Sequence, residues 1–255
     1  MKGTILEKII EAKRARVAAA KQILDLGHVE PKAQPHRLRE ALSNGSKLNI
    51  IAEFKRASPS KGMINNTREP SEIAAAYYDG GAAAISVLTE EDFFKGSLDD
   101  LRAVRKAVDL PILRKDFVLD EFQIREAAAA GADAILLVVA ALSDEELLRF
   151  SSVAQNLGLD ALVEVHDREE MNTAIEIGAR LIGVNNRNLK TFEVSLDVSR
   201  DLIKYAPEGA TMIAESGIGS RHDIEELSSL GYSGFLVGEA LMMSGNAAKT
   251  LEDWL

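Results

Sequence analysis

The chain has 255 residues, of which 46% are hydrophobic and 27% charged. This composition supplies the core of one large globular domain and excludes a chain that is disordered throughout. A formal net charge of −10 does not suit a nucleic-acid partner, whose phosphates require clustered lysine and arginine. The sequence contains no cysteine, so it excludes disulfides and thiolate zinc sites and favours a reducing compartment.

The N-terminal segment and the apolar runs predict neither export nor membrane insertion. The opening stretch, MKGTILEKIIEAKRARV, is charged throughout and lacks the apolar core of a signal peptide. The longest apolar run, Ala134–Leu142, is much shorter than the roughly 20 residues of a membrane-spanning helix. We therefore expect a cytoplasmic protein with no membrane partner.

Residues 1–46 differ from the rest of the chain and are predicted to form a helical extension. An N-terminal helix is indicated by apolar residues that recur at helical spacing among charged ones, namely Ile5, Ile9, Ile10 and Val17. Two prolines bound the next segment, and a short second helix is expected near Arg37–Leu42. No linker typical of separate domains follows, so the extension is expected to pack on the remainder.

Eight short apolar runs follow, separated by segments of helical periodicity. The runs are Leu48–Phe54, Ala82–Leu88, Pro111–Leu113, Ala134–Val139, Ala161–Val165, Leu181–Val184, Thr211–Ala214 and Gly234–Val237. Amphipathic segments such as Glu121–Ala130 and Asp144–Asn156 predict helices between them. Phrases such as AGADAILLVV place a glycine, which ends a helix in the left-handed conformation, just before a strand. This alternation predicts an α/β protein of one domain, residues 1–255, with a (β/α)8 TIM barrel over residues 47–255; an open doubly wound sheet is the second choice.

Most of the predicted strands end in polar or charged residues. In strand order these are Glu53 and Lys55, Lys115, Glu164, Asn185 and Arg187, Glu215 and Ser216, then Gly238 and Glu239. In a barrel these ends meet on the rim that carries the active site. Residues two apart share a face, so two lysines, an arginine and three carboxylates would converge there. The fourth strand, ILLVV, offers an apolar wall, and the site would suit an anionic ligand with an aromatic part.

Taken alone, the Glu53 and Lys55 pair is better explained as a structural ion pair. Six strand ends of the same character favour a functional site instead, because buried unpaired charges are costly. The loops ESGIGS and VGEALM follow the seventh and eighth strands, where such barrels often bind phosphate. Their glycines, Gly217, Gly219 and Gly238, permit close backbone approach, so we expect a phosphate site there.

Other polar residues are predicted to lie outside the site. The four histidines are scattered and form no metal-binding pattern, so no metal is expected. His166 follows the fifth strand, but its spacing is also compatible with a loop. The acidic run Glu90–Asp92 is predicted to be a solvated loop or a helix cap rather than a set of ligands.

Seven phrases along the chain resemble the indole-3-glycerol phosphate synthase family of tryptophan biosynthesis. They are IIAEFKRASPSKG, SVLTEEDFFKGSLDDL, LRKDFVLDEFQI, LVEVH, GVNNRNLKTFEV, AESGI and LVGEALM. The likeness covers essentially the whole chain, although ESGI and LVGEALM are shared more widely among phosphate-binding barrels. It implies a carboxy-lyase without a cofactor that closes the ring of 1-(2-carboxyphenylamino)-1-deoxyribulose 5-phosphate with loss of CO₂ and water. The substrate, with its phosphate and benzoate, is the partner we expect, and we expect a monomer.

The resemblance also implies roles for individual residues. Lys115 would be the general acid that protonates the substrate carbonyl, with Glu164 as its partner in dehydration. Lys55 would contact the substrate carboxylate and is a second candidate proton donor; which lysine serves which step stays open. Supporting catalytic roles, as orienting groups or as the floor of the site, would fall to Glu53, Asn185 and Ser216. The substrate would also be held by Arg187, Glu215, Phe94, Phe117, Leu136 and Leu189, and its phosphate by Ser58, Gly217, Gly238 and Glu239.

Two other functions are compatible with the same barrel. A Schiff-base aldolase would use Lys115 or Lys55 as a nucleophile, and borohydride trapping would detect it. A catalytically silent phosphate-binding barrel would retain the fold without the chemistry. The intact set of charged residues at the strand ends argues against the silent barrel.

Overall fold

The computed structural model describes residues 3–43, 48–64 and 67–255. In this part of the chain eight parallel strands close into a barrel, with the last strand paired to the first. They are β1 (Ile50–Phe54), β2 (Ala84–Leu88), β3 (Ile112–Lys115), β4 (Ala134–Val138), β5 (Asp160–Val165), β6 (Leu181–Asn185), β7 (Thr211–Glu215) and β8 (Gly234–Val237). A short hairpin, Ala57–Ser58 with Gly62–Met63, follows β1. The predicted (β/α)8 barrel is confirmed.

Helices precede the barrel and surround it. They are α1 (Ile5–Ile23), α2 (Arg37–Ala41), α3 (Pro70–Asp79), α4 (Leu98–Ala107), α5 (Glu121–Ala130), α6 (Asp144–Asn156), α7 (Arg168–Glu176), α8 (Asp197–Leu202), α9 (Arg221–Leu230), α10 (Glu239–Met243) and α11 (Ala247–Trp254). The glycines of the helix-to-strand phrases have positive φ, for example 97° at Gly131 and 117° at Gly231, as the left-handed cap requires. No helix in the described ranges is long and apolar enough to cross a membrane.

Two apolar layers build the core. Side chains from the inner face of the strands, such as Leu113, Leu162 and Ile213, fill the barrel interior, and a larger layer lies between strands and helices. The alternation of inward and outward side chains along each strand produces this division. Leu38 and Leu42 are buried with the interior layer, so the segment that contains α2 closes the N-terminal end of the barrel.

The N-terminal extension packs on both ends of the barrel, as expected. At the C-terminal rim α1 presents buried Lys13, whose Nζ lies 2.6 Å from Glu91 Oε2 and 2.9 Å from Asp116 Oδ1. At the opposite rim Arg37 and its neighbours contact the starts of the strands. The boundary predicted between residues 46 and 47 lies outside the described residues.

The run Glu90–Asp92 lies in a loop, as predicted, but the prediction that this loop is solvated is wrong for Glu90. Glu90 is fully buried, and its carboxylate accepts hydrogen bonds from the backbone N–H groups of residues 92, 93 and 94. Glu91 binds Lys13, and Asp92 binds Arg16 through two bonds of 2.6 Å. The acidic run therefore fastens α1 to the loop after β2.

Candidate active site

The C-terminal ends of the strands surround a cavity of about 660 Å³. This volume is in the range of small-molecule sites, about 300–1,000 Å³. Every residue assigned to the site from the sequence lines it: Glu53, Lys55, Ser58, Phe94, Lys115, Phe117, Leu136, Glu164, Asn185, Arg187, Leu189, Glu215, Ser216, Gly217, Gly238 and Glu239. The structure thus brings the predicted site residues together around one cavity at the C-terminal end of the barrel.

Two lysines and three glutamates form the charged centre of the cavity. Lys115, at the end of β3, donates to Glu164 Oε2 at 2.6 Å and to Glu215 Oε2. Lys55 donates to Glu53 Oε1 at 2.8 Å. All three glutamates are buried, and Glu215 Oε1 has no hydrogen-bond partner among the described residues. The carboxylates outnumber the ammonium groups, so the centre favours retention of a proton.

The protonation states follow from burial and from these neighbours. Burial disfavours the charge on Lys115, but attraction from Glu164, Glu215 and Glu53 outweighs it and holds the pKa of Lys115 above its usual value. Burial likewise disfavours ionised Glu164, yet Lys115 and His166 lower its pKa. At Glu215 burial dominates over Lys115, and with repulsion from Glu164 it raises the pKa to about 7. Lys115 and Glu164 are therefore charged, and Glu215 is poised to carry a proton near neutral pH.

Two glycines leave room for the carboxylates, and each lies on, or directly after, the strand next to the one that carries the glutamate. A Cβ at Gly183, on β6, would overlap Oε1 of Glu215, and a Cβ at Gly238, after β8, would overlap Oε1 of Glu53. Any larger residue would displace the carboxylate from its place beside the lysine. The absence of a side chain at these positions is therefore part of the geometry of the site.

Apolar side chains cover one side of the cavity. The predicted ring-binding residues Phe94, Phe117, Leu136 and Leu189 all lie on it. The structure adds residues that the sequence analysis did not assign to the site: Ile5, Leu6 and Ile9 from α1, and Phe192 and Val194 from the loop after β6. The apolar face of α1 was visible in the sequence, but its periodicity does not reveal which end of the barrel it covers.

The remaining side of the cavity combines glycine-rich backbone with cationic side chains. Ser216 and Gly217 have φ of 64° and 81°, which directs the loop after β7 towards the cavity. Lys61 Nζ lies 3.1 Å from Glu239 Oε1, so the hairpin after β1 contacts the start of α10, which follows β8. Arg187 Nη2 is 4.0 Å from Glu239 Oε2. Two cationic side chains and the glycine-containing loops after β7 and β8 thus line the cavity together, and such groups suit a phosphate or carboxylate.

The fold and the site define an enzyme of the (β/α)8-barrel class with a charged cavity at the C-terminal face. A family model described as indole-3-glycerol phosphate synthase matches residues 6–254. A curated protein of that name from Carboxydothermus hydrogenoformans is 46% identical to this chain, and the alignment covers 97% of this chain and 98% of that protein. The one from Rhodococcus opacus is 48% identical, and the alignment covers 98% of this chain and 94% of that protein. The chain belongs to the indole-3-glycerol phosphate synthase family, the carboxy-lyases of tryptophan biosynthesis.

Distant solved structures share the barrel alone. The 3-hexulose-6-phosphate synthase of Salmonella typhimurium superposes with a TM-score of 0.65 at 14% identity, over 81% of this chain and 96% of that one. The thiamine phosphate pyrophosphorylase of Pyrococcus furiosus gives 0.61 at 20% identity, over 82% and 95%. At such identities the likeness concerns the fold and not the reaction.

Proposed function

We propose that this chain converts 1-(2-carboxyphenylamino)-1-deoxyribulose 5-phosphate to indole-3-glycerol phosphate with Lys115 as the general acid and Glu164 as its partner. The observation that carries the assignment is that the largely buried Lys115 ammonium is bound between Glu164 and Glu215 at the wall of the cavity. An ion pair kept only for stability would not require an open cavity beside it. Family membership supports the same reaction.

Ring closure requires a proton at the substrate carbonyl. The ring carbon that bears the carboxylate attacks the ketone carbon, and Lys115 transfers a proton to the oxygen as the C–C bond forms. The raised pKa of Lys115 keeps the ammonium charged until a strongly basic oxyanion develops. Loss of CO₂ then returns its bonding electrons to the ring and restores aromaticity. A Schiff-base mechanism would need a neutral amine, which the same two carboxylates disfavour.

Dehydration requires both an acid and a base. The new hydroxyl leaves as water after protonation, and a carboxylate removes a proton from the adjacent ring CH₂ group, which completes the indole. Glu164 is suited to the base role because its lowered pKa keeps it ionised at neutral pH. Lys55 and Lys115 are both within the site as proton donors for the departing hydroxyl. Glu53, Asn185 and Ser216 line the same centre and would orient these groups.

Substrate binding divides between the two sides of the cavity. The apolar side would hold the anthranilate ring at the face of the ketone of the same molecule, which restricts the flexible arm between them to the conformation that reacts. Arg187 and Lys55 would meet the benzoate. Ser58 and the backbone N–H groups at Gly217, Gly238 and Glu239 would hold the phosphate, so the reacting arm is fixed at both ends.

The direct test is to mix purified protein with the substrate, without metal or cofactor, and to follow indole fluorescence. We expect a rise with wild type, and a fall in kcat of about 10³-fold in Lys115→Ala and in Glu164→Gln, as for loss of a general acid or base. Lys106→Ala, an exposed lysine on α4, is the matched control and should be unchanged. Near-normal turnover in either site variant would refute its role, and no rise with wild type would refute the reaction.

A further inference from the structure

A partly buried histidine lies behind Glu164, outside the lining of the cavity. His166 directly follows β5, and its side chain is 12% exposed. Its Nε2 is 3.4 Å from Glu164 Oε1, and its Nδ1 is 3.0 Å from Glu170 Oε2. The imidazole therefore joins the carboxylate at the reaction centre to a second carboxylate on the outer helix α7.

Glu170 is held by the start of α7 and not by a flexible loop. Its carboxylate accepts the backbone N–H of His166 at 2.8 Å as well as the ring contact. Its own backbone N–H donates to Asp167, the N-cap of the helix, at 3.0 Å. Two contacts to one glutamate oxygen thus fix both the backbone and the ring of His166.

The position of the proton follows from the two carboxylates that flank the ring. Nδ1 faces an acceptor in Glu170 and must carry hydrogen. In a neutral ring Nε2 would then present a lone pair to Glu164 Oε1, which is also an acceptor, so the contact is favourable only with a proton between them. Nε2 is buried and makes no hydrogen bond of good geometry among the described residues, so the 3.4 Å contact of a protonated ring with Glu164 is what compensates its burial.

The surrounding charges favour the imidazolium. Glu164 faces it from β5, Glu170 from α7 and Glu215 from β7, while Asn185, from β6, is a neutral partner of Glu164. Burial lowers the pKa of the ring, but the hydrogen bond to Glu170 and these negative charges outweigh burial and raise it. Lys115 is the other cation of the group and lies on the opposite oxygen of Glu164.

We propose that His166 and Glu170 form a positioning pair for Glu164, in which the imidazolium holds Oε1 while Lys115 holds Oε2. Both carboxylate oxygens are then fixed, and Glu164 stays ionised until it takes a proton from the substrate. The inference rests on the proposed function of Glu164. His166 and Glu170 do not line the cavity, so they act through Glu164 and not on the substrate.

The kinetic test uses the pH profile of His166→Gln, Glu170→Gln and the control Glu169→Gln, an exposed neighbour on α7. For wild type we expect kcat to fall as pH rises through the histidine pKa, above the usual value of about 6.5. Glu170→Gln should move this decline to lower pH, and His166→Gln should abolish it. In His166→Gln we expect kcat to fall about tenfold and KM to change by no more than about twofold. Loss of a residue that orients a functional side chain typically has an effect of this size.

Imidazole ¹⁵N NMR of the same proteins separates this inference from the proposed function, because it needs no turnover. The His166 signals, assigned by their loss in His166→Gln, should titrate above the usual histidine pKa of about 6.5 in wild type and at lower pH in Glu170→Gln and Glu164→Gln. A neutral His166 at pH 7 would overturn the proposal. So would a protonated His166 whose replacement leaves kcat and its pH profile unchanged. Wild type without activity but with the expected titration would refute the reaction alone.

Discussion

The two rims of the barrel both carry buried charge, but they use it differently. At the N-terminal rim Asp133 accepts from Arg105 at 2.8 Å, from Lys32 at 3.2 Å and from the backbone N–H of Ile112 at 2.9 Å. At the C-terminal rim Glu215 is equally buried, yet only one of its oxygens is bound, and the other is buried without a hydrogen-bond partner among the described residues. Asp133 is therefore saturated by donors from the protein, whereas Glu215 is not.

A structural carboxylate and a functional one differ in whether their oxygens have hydrogen-bond partners within the protein. Both rims show carboxylates near lysine or arginine, so residue type alone does not distinguish them. A saturated carboxylate stabilises the fold because each partner depends on it, whereas an unsatisfied one is costly to bury and is retained for chemistry. Substitutions that remove one charge from each rim test whether this difference in role is real.

The largest effect on stability is expected at the N-terminal rim. Asp133→Asn would leave Arg105 and Lys32 without their shared carboxylate, and loss of one partner of a buried pair costs about 3–5 kcal/mol. We expect a fall in the free energy of unfolding of about 3 kcal/mol, measured in urea, with kcat unchanged. Asp109→Asn is the matched control, because this carboxylate is 93% exposed and also adjoins Arg37. A large loss of kcat in Asp133→Asn with full stability would reverse the assignment of the rims.

A smaller effect, confined to activity, is expected at Gly183. In Gly183→Ala the new methyl group would displace the end of the flexible Glu215 side chain, so the fold should tolerate the change. Because displacement of a reacting group by about 1 Å costs up to about 10²-fold in rate, we expect kcat to fall about 10- to 100-fold. Gly245→Ala, where a Cβ meets nothing within 4 Å, is the control. Unchanged kcat in Gly183→Ala would show that the position of Glu215 is unimportant.

Features that depend on local sequence were predictable. The strand runs and the helix-ending glycines repeat with short periods, and neighbouring residues alone determine those conformations. The convergence of Glu53, Lys115 and Glu164 was also predictable, since the barrel places the ends of all parallel strands on one rim. Family phrases then supplied roles that periodicity alone does not contain.

Features that depend on the conformation of irregular segments were not predictable from the sequence. Glu90 looks like a solvated acidic residue until the backbone of its own loop folds around the carboxylate. His166 looks like a loop residue because its partner Glu170 lies on the following helix and Glu164 turns inward beside it. In each case the partners lie within four residues along the chain, but the conformation of the irregular segment, and not the residue type, determines burial and charge.

The most direct test of the difference between the rims is the pH dependence of stability in Glu215→Gln. The pKa of Glu215 rises from its ordinary 4.5 to about 7 in the folded protein, so the native state binds more protons than the unfolded state between these values, and stability falls as pH rises through them. Glutamine removes that loss. Glu225→Gln, on the exposed surface of α9, is the control.

We expect Glu215→Gln to match the Tm of wild type near pH 4.5 and to exceed it at pH 8 by about 7 °C or more. The rise in pKa from 4.5 to about 7 is worth about 3.4 kcal/mol, at about 1.4 kcal/mol per pKa unit, and each kcal/mol moves Tm by about 2–4 °C in a chain of this size. The same variant should lose activity. A Tm below wild type at pH 8, like that expected of Asp133→Asn, would contradict the claim that the C-terminal rim keeps its charge at the expense of stability.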